Sequence, residues 1–195
     1  MRESSPLDQL KKVCDIVYPL EEEVWEEFSS VWKPFSAKRK TILTTAGETE
    51  KYLYFVVEGV QRAYYVHHEK EATIMFSYPF SFSGNIDSFL LQQPSIFYFE
   101  TLTQSNFIRT TFNQINALLN RYPDFEKLVR ISLCRTFAGT LQRMVELQAF
   151  SAEEKFRTLL KRSPHVLQLI PHKYLASYLG LDATTFSKLL STVRI

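Results

Sequence analysis

Cysteine is scarce in this chain: Cys14 and Cys134 are the only two in 195 residues. They stand far apart with no metal-ligand spacing, so they read as two reduced, mostly buried thiols. An iron–sulfur sensor needs about four cysteine ligands, which excludes that chemistry. Long apolar runs are missing too. No stretch approaches the roughly 20 residues of a membrane span, and the opening MRESSPLDQLKK lacks the apolar segment of a secretory signal. A cytoplasmic protein with no membrane partner is the expectation. Enzyme signatures are absent as well: there is no Gly-rich phosphate loop, no His-Glu-x-x-His, no nucleophile elbow and no triad-like context. No catalytic residue, cofactor or metal site is expected. His67 and His68 are neighbours in a hairpin, and adjacent strand residues point to opposite faces, which disfavours joint chelation.

What is present is a large apolar share and an uneven charge. The hydrophobic fraction is 45%, enough for a real core, and the length allows one large domain or two modest ones. The net charge is only +2. Residues 151–195 carry seven basic residues (Lys155, Arg157, Lys161, Arg162, Lys173, Lys188 and Arg194) against Glu153, Glu154 and Asp182, a net of +4. The remaining 16 basic and 18 acidic residues leave residues 1–150 near −2. That asymmetry puts a polyanionic partner at the C-terminal end.

Leu7 to Val31 is helical in period, with Leu20, Val24 and Phe28 at i, i+4 and i+8 and a fresh acidic first turn at Glu21–Glu23 after Pro19. From Trp32 to Phe112 short β-rich runs alternate with turns. Tyr52–Val57 reads as a strand, Glu58-Gly59 as a tight hairpin turn, Val60–Val66 as the returning strand and Ala72–Tyr78 as another. Ser95–Thr103 and Asn106–Phe112 read as a late pair. Six or more such strands describe an antiparallel roll or sandwich. Asn113–Asn120 is a short helix, and Pro123 opens a long one to about Phe150. On it Val129, Leu133, Phe137, Leu141 and Met144 recur every three or four residues, and Phe125, Leu128, Ile131 and Val145 widen the stripe. A helix apolar on more than one side packs on its own domain and on something further, for which a second copy of the chain is the expectation. Ser151-Ala152-Glu153-Glu154 is a capping box that starts a new helix through Arg162, so a hinge is expected near Phe150.

The last 26 residues, IPHKYLASYLGLDATTFSKLLSTVRI, carry the sharpest signal. Leu175, Ala176 and Leu179 line one face of a first short helix. Gly180 stands where the chain must turn. Asp182 stands where the N-cap of a second helix belongs, and Phe186, Leu189, Leu190 and Val193 form that helix's buried stripe. Ala183, Thr184, Thr185, Ser187, Lys188 and Thr192 are left exposed. This is the helix-turn-helix pattern, and a short, polar, non-acidic face suits a major groove. An ordinary αα-hairpin is the plainer alternative.

The order of N-terminal helix, β-roll, long helix, hinge and helix-turn-helix resembles the superfamily of the cyclic-AMP receptor protein and the fumarate-nitrate regulator (Crp/Fnr) over essentially the whole chain. The likeness rests on Leu53-Tyr54-Phe55-Val56-Val57-Glu58-Gly59, on Phe82-Ser83-Gly84-Asn85 at the start of the phosphate-binding cassette, and on Leu175-Ala176, Leu179-Gly180-Leu181 and Thr185-Phe186-Ser187-Lys188-Leu189. The resemblance implies a homodimeric transcription regulator that senses a signal with its roll and dimerises along its long helix.

Departures from the family pattern carry as much information. Nucleotide-binding members follow the cassette glycine with a glutamate that accepts from the ribose, and place an arginine and a serine or threonine about ten residues on for the cyclic phosphate. Here those positions are Asn85, Ser95 and Ile96, and no arginine or lysine lies between Lys70 and Arg109. A buried phosphate without a cation is costly, so a cyclic nucleotide is not the expected effector. The segment is instead aromatic (Phe76, Tyr78, Phe80, Phe82, Phe89, Phe97, Tyr98, Phe99). Either it fills the roll core or it lines an apolar effector pocket at Phe82, Gly84, Asn85, Ser95 and Ile96. In the reader, the family's Arg-Glu and later Arg are replaced by Ala183, Thr184 and Lys188, so the family's DNA site does not transfer. The chain stops soon after, and the β-hairpin wing of many relatives is not expected.

The expected fold class is thus α+β: an N-terminal cyclic-nucleotide-binding-like antiparallel β-roll (jelly roll) over residues 1–112, a dimerisation helix region over 113–150, and a helix-turn-helix domain lacking a full wing over 151–195. Double-stranded DNA, a second copy of the chain and an unknown small-molecule effector are the expected partners. Lys188 and Thr184, beside Ala183, are the candidates for base edges, and His172, Lys173 and Thr185 for phosphates. The competing reading is a small-molecule-binding module whose helical tail is a protein-interaction domain.

Overall fold

Ser5 opens the first helix. Its hydroxyl accepts the Asp8 N–H at 3.1 Å while the Asp8 carboxylate accepts the Ser5 N–H at 2.9 Å, and Pro6 takes the first helical position. The computed structural model describes residues 5–193. The N-terminal helical stretch resolves into α1 (Pro6–Val17) and α2 (Glu22–Ser30), separated at Pro19, which has no N–H to continue a helix.

The strands are β1 (Lys33–Ala37), β2 (Ile42–Thr44), β3 (Tyr52–Glu58), β4 (Gln61–His67), β5 (Lys70–Ser77), β6 (Phe82–Ser83), β7 (Tyr98–Thr101) and β8 (Ser105–Thr111), with α3 (Ile86–Leu91) between β6 and β7. They form two sheets, ordered β1-β8-β3-β6 and β2-β7-β4-β5. This allocation corrects two expected pairings. The turn at Glu58-Gly59 does not make a hairpin of β3 and β4, and the late strands β7 and β8 are not partners, because each pair is divided between the sheets. The two crossings lie side by side: the Val60 carbonyl accepts the Leu102 N–H at 2.7 Å, and its N–H donates to Thr103 Oγ1 at 2.9 Å. Gly59 is required there. Its φ is +94°, and a Cβ would stand 2.4 Å from Ser105 Oγ and 2.5 Å from the Gln104 carbonyl oxygen.

Alternation along β3 feeds two cores. Tyr54 and Val56 face Ala63, Phe99 and Phe107 between the sheets. Phe55 faces the other way and joins Ile108 with Leu10, Val24, Trp25, Phe28, Leu118 and Phe125 from the helices. Between β4 and β7 the Arg62 guanidinium donates to Glu100 at 2.6 Å, a pair closed inside the roll.

After β8 come α4 (Phe112–Arg121) and the long α5 (Pro123–Ala149). Phe125 and Leu128 sit in the helix-side core, and Val129, expected at the head of the dimerisation stripe, packs against it too. Further along, Leu133, Phe137, Leu141 and Met144 are 40%, 64%, 47% and 51% exposed. Cys134 is exposed among them, whereas Cys14 is buried. Only one thiol is therefore in a core, because the face of α5 that carries Leu133, Cys134 and Phe137 is exposed beyond Val129. Burial pushes the Cys14 thiol up to about 12.

The C-terminal helices are α6 (Ala152–Arg162), α7 (Val166–Leu169), α8 (His172–Leu179) and α9 (Ala183–Thr192). Ser151 caps α6 through the reciprocal box with Glu154. By contacts the chain divides into two units, Met1–Ala63 with Phe76–Arg135, and Tyr64–Met75 with Thr136–Ile195. The tip of the β4–β5 hairpin and the second half of α5 therefore group with the C-terminal helices. Among the described residues no helix is long and apolar enough to cross a membrane, and no group of three or more His, Cys, Asp or Glu could hold a metal ion.

Candidate nucleic-acid interface and sensor cassette

The turn between α8 and α9 is closed by backbone chemistry. Gly180 adopts φ +64°, its N–H donates to the Ser177 carbonyl at 3.0 Å, and the Leu181 N–H donates to the Ala176 carbonyl at 2.9 Å. That is a Schellman closure, which favours glycine because a Cβ is strained at positive φ. Asp182 then caps α9: one carboxylate oxygen accepts the Thr185 N–H at 2.8 Å and the other accepts the Thr185 hydroxyl at 2.7 Å. Those two bonds hold the Asp182 carboxyl below its usual range.

Phe186 and Leu189 are buried, with Phe186 edge-on to Phe156 at 5.5 Å, and Leu190 and Val193 are half-buried at the margin. On the opposite face Ala183, Thr184, Ser187 and Lys188 are exposed. Thr184 and Lys188 are four residues apart and so share one face. His172 and Lys173 are exposed on the first turn of α8, the His172 ring 5.7 Å from Phe186 and the Lys173 ammonium 4.6 Å from the Tyr174 ring. Thr185 is half-buried, and its hydroxyl proton is already given to Asp182. Arg157 pairs with Glu153 at 2.8 Å, and Arg162 pairs with Glu146, so two of the seven basic residues counted in this segment are offset locally. Arg194 lies outside the described residues.

Sequence reasoning missed how α8 is anchored. The Ser177 hydroxyl accepts the Thr73 N–H at 2.9 Å and donates to the Glu71 carbonyl at 3.0 Å, joining α8 to the β4–β5 hairpin. Arg143 of α5 stacks 3.9 Å from the Tyr178 ring and donates to the Tyr178 carbonyl. Buried Glu146 lies between Arg143, at 3.6 Å, and Arg162. These contacts are remote in sequence, and no local spacing signals them.

In the cassette, Gly84 has φ +117°, and a Cβ would meet the Tyr52 carbonyl oxygen at 3.3 Å and the Tyr54 ring at 3.5 Å. Asn85 is buried, with its N–H donating to Glu50 at 3.2 Å and its side-chain amide to the Phe97 carbonyl at 3.1 Å. Ser95 is buried and closes on Phe97: its hydroxyl accepts the Phe97 N–H at 3.0 Å and donates to the Phe97 carbonyl at 3.2 Å. Ile96 is 61% exposed on the surface. The fold thus joins Asn85 and Ser95 through Phe97, with Gly84 next to Asn85 in the chain, and leaves Ile96 outside this cluster. Phe82 and Phe89 join the helix-side core, and Phe99 the inter-sheet core. Three of the eight aromatics thus sit in the two cores, Phe76, Tyr78, Phe97 and Tyr98 are half-buried outside them, and Phe80 is 47% exposed.

The residue at the centre of this cluster is Glu50, which the sequence did not single out. It is 1% exposed. Its carboxylate accepts from the Thr44 hydroxyl at 2.6 Å and from the N–H groups of Lys51 at 3.1 Å, Asn85 at 3.2 Å and Tyr52 at 3.4 Å. Burial pushes its carboxyl above the usual carboxylate range, against the pull of those donors. Burial, and then the nearby Glu50 charge, also push the Tyr54 phenol well up, with Arg109 pulling the other way.

No protein-family model matches the chain, and no curated protein matches it by sequence. Solved structures do match its fold. FixK2 of Bradyrhizobium japonicum is similar at TM-score 0.68 and 19% identity, over 83% of each chain. CLP of Xanthomonas campestris, described as a c-di-GMP responsive global regulator, is similar at TM-score 0.65 and 15% identity, over 88% of this chain and 90% of that one. The catabolite activator protein of Thermus thermophilus is similar at TM-score 0.57 and 20% identity, over 96% of this chain and 85% of that one.

Proposed function

We propose that this chain, which has the fold of the Crp/Fnr-type regulators, is a sequence-specific DNA-binding transcription regulator. It acts as a homodimer and does not respond to cyclic AMP. The observation that carries the reading is the presentation of Thr184 and Lys188 on the exposed face of a helix fixed from behind by Phe186 and Leu189. The first residues of a recognition helix are the ones that meet base edges. Ala183 and Thr184 hold those positions, and Lys188 reaches the same groove one turn on. Lys173 and His172 meet the flanking phosphates. Thr185 contributes less there, because its hydroxyl is engaged by Asp182.

Dimerisation is supported by the exposed apolar run Leu133, Phe137, Leu141 and Met144, which is too long and too regular for a solvent face. Insensitivity to cyclic AMP is supported by a cassette that has no cation and whose polar atoms bond to one another. Selection of bound duplexes from a random pool tests the reading: an enriched inverted repeat supports it, and recovery of no enriched sequence contradicts it.

A further inference from the structure

Arg109 stands in a layered stack inside the roll. Its guanidinium carbon lies 3.8 Å from the Phe35 ring centroid and 3.9 Å from that of Tyr52. The sheet register produces this arrangement. Tyr54 is directly opposite Arg109, Tyr52 is opposite Thr111, and Phe35 is opposite Phe107, so the two flanking rings are the diagonal neighbours of Arg109 on either side. With both faces covered by rings, the guanidinium meets a partner through its in-plane N–H edge. A carboxylate takes two such N–H groups side by side. Among the described residues no carboxylate is paired with Arg109.

The stack borders a cavity of about 330 Å³, whose further walls include Ile42, Leu43 and Tyr54. That volume suits a small molecule. Of the charged side chains at its edge, Arg109 and Lys51 are positive and Glu48 is negative. One positive charge is left over, which matches a monoanion better than a dianion. The cavity is distinct from the nucleotide cassette: none of Phe82, Gly84, Asn85, Ser95 or Ile96 lines it. Its Tyr54 wall borders the cassette, since a Cβ on Gly84 would lie 3.5 Å from the Tyr54 ring.

We propose that this cavity binds a small planar monocarboxylate. Its carboxylate pairs edge-on with Arg109, and its apolar body lies against Leu43, Ile42 and Tyr54. The proposal does not depend on the DNA-binding reading, because its test measures only ligand binding to the full chain.

The test is calorimetric titration of the purified protein with benzoate, with benzamide as the uncharged analogue and inorganic phosphate as the alternative anion. Benzoate should saturate the protein with a Kd of about 1 mM or tighter, and benzamide should bind at least about tenfold more weakly. Arg109→Gln should abolish benzoate binding. Arg109→Lys, which keeps the charge and loses the fork, should weaken it by about tenfold. Ile42→Trp, at a rim position 48% exposed, should block the cavity while Arg109 stays in place, so the outcome does not hang on one variant's stability. Four results would overturn the proposal: no saturation by benzoate up to about 20 mM, equal binding of benzamide, benzoate binding that survives both Arg109→Gln and Ile42→Trp, or phosphate bound more tightly than benzoate.

Discussion

Asn85 gives its main-chain N–H to the buried Glu50 carboxylate at 3.2 Å and its side-chain amide to the Phe97 carbonyl at 3.1 Å. In the resemblance read from the sequence, this position holds a glutamate that accepts from a ribose. Here the acceptor in the cassette belongs to Glu50, and its lone pairs are taken by Thr44, Lys51, Tyr52 and Asn85. Calorimetry with cyclic AMP and cyclic GMP should therefore show no binding tighter than about 10 μM, roughly 7 kcal/mol. A tighter constant for either nucleotide contradicts the reading of Asn85, Ser95 and Ile96.

Glu50 should also leave a mark on stability against pH. Its carboxyl is raised above the ordinary 4.5 in the folded chain, by burial first. Between 4.5 and the raised folded value the folded chain holds a proton that the unfolded chain has lost. Stability therefore falls as pH rises through that window and levels off above it. Glu50→Gln removes this dependence. In urea unfolding from acidic to neutral pH, wild type should lose stability relative to Glu50→Gln as pH rises. The opposite trend would mean that the four donors outweigh burial.

The proposed dimer rests on the exposed half of α5. Phe137, 64% exposed, and Leu133, 40% exposed, are the sensitive positions. Sedimentation should give a dimer at micromolar concentration, burying well above about 1,000 Å². Leu133→Asp or Phe137→Asp should yield folded monomers. A wild-type monomer at that concentration would leave the stripe unexplained.

Base and phosphate contacts should fail differently. Lys188→Ala should cost about 1–3 kcal/mol on a selected site and relax sequence preference there. Lys173→Ala should weaken all duplexes alike and reduce the salt slope by about one. Gel-shift titrations on matched and scrambled duplexes over a range of salt separate the two.

Much of this molecule is legible in the chain because its punctuation is local. Gly180 and Asp182 fix the turn between α8 and α9 through their own backbone bonds and those of their neighbours. Pro123 marks the start of the long helix, which runs to Ala149, one residue short of the expected end. The allocation of strands to sheets was not legible. A tight turn after an apolar run looks the same whether the chain returns beside itself or crosses to a second sheet, and here Gly59 crosses because Ser105 and Gln104 lie against it. Glu50 was equally silent. Within Glu48-Thr49-Glu50-Lys51 it looks like a solvated charge, and its burial depends on Thr44, Ser88 and Asn85, which come from other elements. The anchoring of α8 by Ser177, Glu71 and Thr73 spans more than 100 residues, with |i−j| of 104 and 106, and no local pattern encodes it.

Selection of duplex DNA from a random pool by the purified protein, with binding then measured against salt, tests the central claim most directly. Two copies of α9 should occupy successive major grooves about 34 Å apart. The account therefore predicts an enriched inverted repeat, with half-sites one helical turn apart and affinity that falls steeply as salt rises. Recovery of no enriched sequence, together with binding indifferent to salt, would contradict it and return α8 and α9 to the role of a protein-interaction hairpin.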